Sequence, residues 1–237
     1  MVRESGSSPR PGKESSGSFE AIETPMIFHK ILKRITRSKK VNHASTQYTV
    51  DVVDGFEDIL QGPLGDGLFY NTNGTVYQLA FALSVALTPE VGKIMQDASL
   101  ANSSDVIKVL RDRQVLSGLK ILDLGSGTGE FAVAAHSMGA EAYTADVEDL
   151  SKTKKSHISG HQIINLRKEA TAEELVQAFG NNFDLVTENI IGGVPFSDVK
   201  PPEPRTIEHI AEVLLKQGGY LYNNYGIQHG SSLLRKV

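Results

Sequence analysis

From Leu119 onward, short apolar runs alternate with amphipathic ones. The runs predict strands at 119–124, 140–146, 161–166, 183–189 and 218–224. The stretches between them predict helices at 129–138, near 149–156, at 172–179 and at 204–217. Strand–helix alternation of this kind implies an α/β fold with a parallel sheet and right-handed crossovers. Ligands of such sheets bind beyond the C-terminal ends of the strands. Before Leu119 the pattern is helical. Val76 to Leu87 is apolar nearly all round, as in a buried helix. Thr88-Pro89-Glu90 restarts a second helix running to about Leu100. Asp105 to Val115 makes a third, with Val106, Ile107, Val109 and Leu110 on its apolar side.

The first residues read differently. Residues 1–17 contain five Ser, three Gly and two Pro, with no large apolar residue after Val2, and are expected to be disordered. Thr24-Pro25 has the pattern of an N-cap followed by a first-turn proline. Ile27, Phe28, Ile31, Leu32 and Ile35 then share one helical face, with Lys30, Lys33, Arg34 and Arg37 elsewhere. Residues 18–43 are therefore expected to form a basic amphipathic helix. It would dock on the acidic domain or, through 26–40, touch a membrane surface. Gly62-Pro63, Gly65 and Gly67 break any helix in 44–74. The division expected is a tail (1–17), the basic helix (18–43), a helical extension on the substrate side (44–115) and the α/β domain (116–237).

The stretch ILDLGSGTGE, residues 121–130, organises that domain. A strand runs into a turn carrying Gly125, Gly127 and Gly129, and a helix begins at once. Glycine tolerates positive φ and lets a ligand lie against bare backbone. The helix start behind it presents unpartnered N–H groups to polar or anionic ligand groups. Asp146, at the end of the next predicted strand, lies 21 residues after Gly125, the separation at which a carboxylate reaches a nucleoside ribose. Without a ligand its side chain is expected to face solvent.

DLGSGTGE followed by this acid resembles the class I S-adenosylmethionine-dependent methyltransferases. The spacing is GxGxG, and Glu130 stands where a dinucleotide fingerprint needs its third glycine. The resemblance spans roughly 100–225. It implies a Rossmann-like three-layer sandwich, strand order 3-2-1-4-5, with S-adenosylmethionine as cofactor and S-adenosylhomocysteine as product. It implies that Gly125, Ser126, Gly127, Gly129, Asp146 and Val147 line the cofactor, and that Asp123 shapes the glycine turn. Glu169 and Ala170 would lie near the adenine amine, and the segment Thr187–Ile190, with Asn189, near the methionine moiety and substrate. Phe69 and Tyr70 are lid candidates. The family continues after its fifth strand with a helix and a strand pair. Here the chain stops soon after Asn224, so the sheet is either truncated or covered by N-terminal segments.

Composition narrows the chemistry. There is no cysteine, which excludes disulfides, thiolate metal sites and cysteine nucleophiles. No His/Glu spacing suggests a metal. The longest apolar stretch, Leu79 to Leu87, is too short to span a bilayer, and no signal core precedes it, so a cytoplasmic protein is expected. Residues 1–43 hold nine Lys/Arg and four Asp/Glu; the remainder holds 15 against 24, a net −9. An acidic domain is a poor binder of nucleic acid. ENIIGGVPF (188–196) also lacks the Asn/Asp-Pro-Pro-aromatic signature of amino-group methylases of nucleic acid and glutamine. Of seven histidines, His136 and His209 fall on polar helix faces, His157 and His161 flank the third strand, and His229 alone is a candidate base. The expected activity is methyl transfer to a small molecule or protein side chain. The alternative is a non-catalytic domain of this fold that binds S-adenosylmethionine or a partner.

Overall fold

The computed structural model describes residues 38–41, 50–53, 79–80, 83–84, 86–88, 90–91, 103–168, 170–188, 204–224 and 231–237. Its elements in chain order are β1 (Ser38–Val41), β2 (Val50–Val53), α1 (Ser103–Asp112), β3 (Lys120–Leu124), α2 (Glu130–Ser137), β4 (Glu141–Asp146) and α3 (Lys152–Lys155). There follow β5 (Gly160–Ile163), α4 (Thr171–Phe179), β6 (Phe183–Glu188), α5 (Pro204–Leu214), β7 (Leu215–Asn224) and β8 (Ser231–Lys236).

All eight strands form one sheet, in the order β1-β2-β8-β7-β6-β3-β4-β5. Counting the five parallel strands β3, β4, β5, β6 and β7 as one to five, the order is 3-2-1-4-5, as expected. This is the Rossmann-like α/β fold. β3 is central, and its alternation sorts the core into two layers. Ile121 faces a cluster with Phe131, Ala132 and Ala135 of α2, Leu110 of α1, and Leu79, Leu83 and Val91. Leu122 and Leu124 face the other cluster, with Leu175 of α4 and Ile207, Ile210, Ala211 and Leu214 of α5. Residues 79–80, 83–84 and 86–87 are helical, in the segment expected as a buried helix. No helix among the described residues is long and apolar enough to cross a membrane.

Three local features set the boundaries. Gly139, with φ +99°, ends α2 and turns the chain into β4, its N–H bonding to His136 O. α5 passes directly into β7, so that strand starts at Leu215 rather than 218. The ladder with β6 then shifts between Phe183↔Leu215 and Leu185↔Tyr220, and Gly218, at φ +76°, lies in the extra residues. Lys236 of β8 donates to Glu212 O at 2.6 Å and Leu215 O at 2.8 Å, placing a cation on the last carbonyls of α5.

The N-terminal segments depart from expectation. Residues 38–41 fall in the span expected as helix, 18–43, yet form β1. The apolar helical stripe ends at Ile35, and β1 beyond it pairs with β2 from Ser38↔Val53 to Val41↔Val50. Val50–Val53 lies in the part of the extension, 44–74, for which no helix was expected. Its sequence, Val-Asp-Val-Val, has strand chemistry, and it pairs with β8 from Val50↔Lys236 to Val52↔Leu234. β8 follows β7 antiparallel, so the sheet is not truncated there; N-terminal strands cover the edge of β8. The expected tail, the helix before Ser38 and the lid residues Phe69 and Tyr70 lie outside the described residues.

A bare β8 would present unpaired backbone groups to another chain. Deletion of residues 1–53 is expected to lower the melting temperature by several degrees and to cause concentration-dependent self-association. Calorimetric melting and light scattering check this; a monomer melting like the full chain would show that β2 does not protect the edge.

Candidate cofactor site

The turn after β3 holds three glycines in the left-handed region: Gly125 at φ +63°, Gly127 at +52° and Gly129 at +73°. Their roles differ. Gly125 N–H bonds to Ala145 O at 2.8 Å, tying the turn to β4. A Cβ on Gly127 would meet nothing within 4 Å, so this backbone borders open space. A Cβ on Gly129 would meet the Leu150 side chain at 3.0 Å, so that glycine is also required by packing. Gly129 is the N-cap of α2 and supplies no side-chain cap.

Asp146 closes the corner from the neighbouring strand. Its Oδ2 accepts Gly127 N–H at 2.7 Å, and its Oδ1 accepts Glu148 N–H at 3.1 Å. Asp146 is 9% exposed as a residue, so it is not solvent-facing. Two backbone donors hold it, and each oxygen keeps a further lone pair for a ligand. Beside it, Val147 is 57% exposed, as is Ile163 at 54%, the register partner of Asp146 on β5. The carboxylate thus stands between the glycine turn and two exposed apolar side chains. Ile163 was not singled out from the sequence; its signal was one large apolar residue ending a strand, Gly-His-Gln-Ile, that otherwise has none.

Asp123 lies one step below the turn and is buried. Its Oδ1 accepts the Thr187 hydroxyl at 2.7 Å across β3 and β6. In the same transverse row, Thr144 Oγ1 lies 2.8 Å from His161 Nδ1. His161 Nε2 is 3.1 Å from Glu148 O and 3.5 Å from Asp149, whose carboxylate also pairs with Lys155. A polar row therefore runs beneath the site and reaches the loop after Asp146. Ala170 is exposed at the start of α4, at the end of the loop after β5. Glu169, Asn189 and His229 lie outside the described residues. The structure thus brings together Gly125, Ser126, Gly127, Gly129, Asp146 and Val147, with Asp123 beneath them.

The next row up, on the opposite face, holds groups the glycine motif does not reveal. Leu124, Glu188 and Asn223 are register neighbours at the C-terminal ends of β3, β6 and β7. Glu188 is 4% exposed, and its Oε2 has no hydrogen-bond partner. Burial, and then the charge of Glu208, push its carboxyl up to about 7. Asn223 is buried with neither amide atom bonded, and Ser126 Oγ is also buried and unbonded. Buried polar groups are ordinarily paired, so unpaired ones at a ligand-binding rim point to ligands. Among the described residues no group of His, Asp and Glu could hold a metal ion.

Sheet order, glycine turn and acid define the class I methyltransferase fold. No protein-family model and no curated protein matches the chain. Among solved structures, it is similar to a provisionally assigned ribosomal RNA methyltransferase of Plasmodium falciparum, at 11% identity. That match covers 56% of this chain and 93% of the other, with TM-score 0.39. It is similar to the ribosomal protein L11 methylase of Lactobacillus delbrueckii at 17% identity, covering 58% and 79%, TM-score 0.34. It is also similar to the O-methyltransferase TomG of Streptomyces achromogenes, in complex with S-adenosylmethionine, at 15% identity, covering 59% and 64%, TM-score 0.35.

Glu188 has a stability consequence with a definite sign. Its folded value, about 7, exceeds the ordinary 4.5, so the folded chain holds a proton that the unfolded chain has lost. Stability therefore falls as pH rises from about 4.5 through 7. Glu188→Gln removes that loss. The variant is expected to be more stable than wild type at pH 8, by up to about 3 kcal/mol at about 1.4 kcal/mol per tenfold change in proton affinity, with the gap closing near pH 5. Urea unfolding at both pH values checks this; a gap independent of pH would contradict it.

Proposed function

We propose that this chain is an S-adenosylmethionine-dependent methyltransferase acting on a small molecule or a protein side chain. One observation carries the reading: the open backbone at Gly127, joined through its N–H to the ribose-spaced carboxylate of Asp146. In this reading the free lone pairs of Asp146 accept the ribose hydroxyls. Val147 and Ile163 offer apolar surface to the adenine. The start of α2 and the glycine turn receive the methionine end. S-adenosylmethionine supplies an activated methyl group when bound; the chain supplies position and orientation, which can contribute several kcal/mol to the barrier.

Isothermal titration calorimetry with S-adenosylhomocysteine, followed by turnover on metabolite extract, tests the proposal. Binding with turnover supports it, while binding without turnover favours a non-catalytic cofactor-binding domain. Absence of binding removes both.

Two variants locate the site. Gly127→Val is expected to remain folded and lose measurable binding, because a branched side chain resists φ +52° and fills the open space. Unchanged affinity in the folded variant would refute the pocket. Asp146→Ala is expected to weaken binding about 30- to 150-fold, from about 2–3 kcal/mol of charged hydrogen bonding at about 1.4 kcal/mol per factor of ten. It is also expected to lower stability by about 1–3 kcal/mol, because Gly127 N–H and Glu148 N–H lose their acceptor. Calorimetry and urea unfolding measure the two effects separately; unchanged values in both would dissolve the assignment.

A further inference from the structure

We infer that Glu188 and Asn223 form an amine site, in which the methyl acceptor is a primary amine held by Asn223 and deprotonated by Glu188. The inference rests on the methyltransferase reading for its chemistry, but the amine site stands on its own geometry. Glu188 and Asn223 are register neighbours on parallel strands, so their side chains leave the sheet on one face. Both are more than nine-tenths buried, and between them they leave Glu188 Oε2, Asn223 Oδ1 and Asn223 Nδ2 without partners. The two acceptors among them, Glu188 Oε2 and Asn223 Oδ1, are costly side by side unless a donor meets them.

The surroundings select the ligand's charge. Across the sheet, Glu188 is flanked by Leu124 of β3 and Asn223 of β7, neither of them titratable. Among the described side chains of α5, Glu208 acts on it, its negative charge raising the Glu188 carboxyl further after burial. On the same helix His209 is exposed, and Glu212 lies a turn further on, where its carbonyl receives Lys236. Asp123 and Thr187 occupy the opposite face. Among the described side chains, no cation in these groups answers Glu188. A ligand ammonium does. It has three N–H donors for Glu188 Oε2 and Asn223 Oδ1, and its positive charge suits the Glu188 carboxylate.

The balance of the step is simple. Glu188, as carboxylate, takes one proton from the ammonium and becomes a carboxylic acid. The freed nitrogen lone pair forms the N–CH₃ bond as the S–CH₃ bond breaks, and the bonding pair stays on sulfur. The products are a methylammonium and the neutral thioether of S-adenosylhomocysteine. A carboxyl group titrating near 7 is matched to this proton transfer at neutral pH. Transfer is then expected to rise with pH through about 7.

The test uses the full chain and two readouts. In the first, side-chain NMR follows Asn223 and Glu188 while n-butylammonium is added, with n-butanol as control. The expected result is a shift of the Asn223 amide and a fall in the Glu188 titration midpoint, caused by n-butylammonium and not by n-butanol. No change, or equal change with both, overturns the amine site whether or not the cofactor binds. In the second, methyl transfer from labelled S-adenosylmethionine is measured onto n-butylamine, ethanolamine and Nα-acetyl-lysine amide. Wild type is expected to methylate amines in preference to n-butanol. Glu188→Gln should be slowed about 100-fold or more, with its affinity for S-adenosylhomocysteine unchanged. Asn223→Leu should raise KM for the amine more than it lowers kcat. Binding of S-adenosylhomocysteine with no transfer to any amine overturns this inference alone. Absence of S-adenosylhomocysteine binding overturns the methyltransferase reading and leaves the NMR titration to decide the amine site.

Discussion

A carboxylate taking its hydrogen bonds from backbone holds the site together. Asp146 receives N–H groups from the glycine turn on one side and from its own following loop on the other. β3 and β4 are thereby joined above their ladder as well as within it, with Gly125 N–H to Ala145 O adding a third link. A charged acceptor makes stronger hydrogen bonds than a neutral one, which suits it to fix a turn whose three glycines confer little rigidity. In the proposed function, the remaining lone pairs of Asp146 accept the ribose hydroxyls. Under the proposed function, structural and ligand-binding roles coincide in this one side chain, and a substitution there disturbs both.

The strand ends above the sheet divide their chemistry by face. Asp123, Thr144, Thr187 and His161 form a satisfied polar row on the α2 side, where Thr187 binds Asp123 and Thr144 meets His161. One residue further, on the α5 side, Glu188 and Asn223 are buried and unsatisfied. The period of two along each strand produces this contrast. The first row is complete without a ligand. The second is left with unfilled hydrogen bonds and a carboxyl whose ionisation is suppressed, the features on which the proposed amine site is built.

Much of the domain was legible in the chain itself. Strand–helix alternation, the three glycines and the distance from Gly125 to Asp146 depend on local periodicity and spacing, which one stretch of sequence carries alone. They are sufficient for a parallel α/β sheet and for the corner where turn and acid meet; the order 3-2-1-4-5 was implied by the family resemblance those residues carry. What the chain does not display is lateral register. Glu188 and Asn223 are 35 residues apart and become neighbours only because β7 slides along β6 through the irregularity between Phe183 and Leu185.

Tertiary structure also decided where the N-terminal segments go and how exposed Asp146 is. Residues 38–41 come after a helical stripe in sequence, and nothing local says that they should pair with 50–53 and thereby cover β8. A sheet edge with unpaired N–H and C=O groups imposes that outcome, and only the assembled sheet has such an edge. Asp146 likewise reads as a solvent-facing acid until the turn folds over it and Gly127 N–H finds its oxygen. Sequence determined which residues could serve a cofactor. Contacts between residues far apart in the chain decided which were already engaged, and which were left with unmet hydrogen bonds.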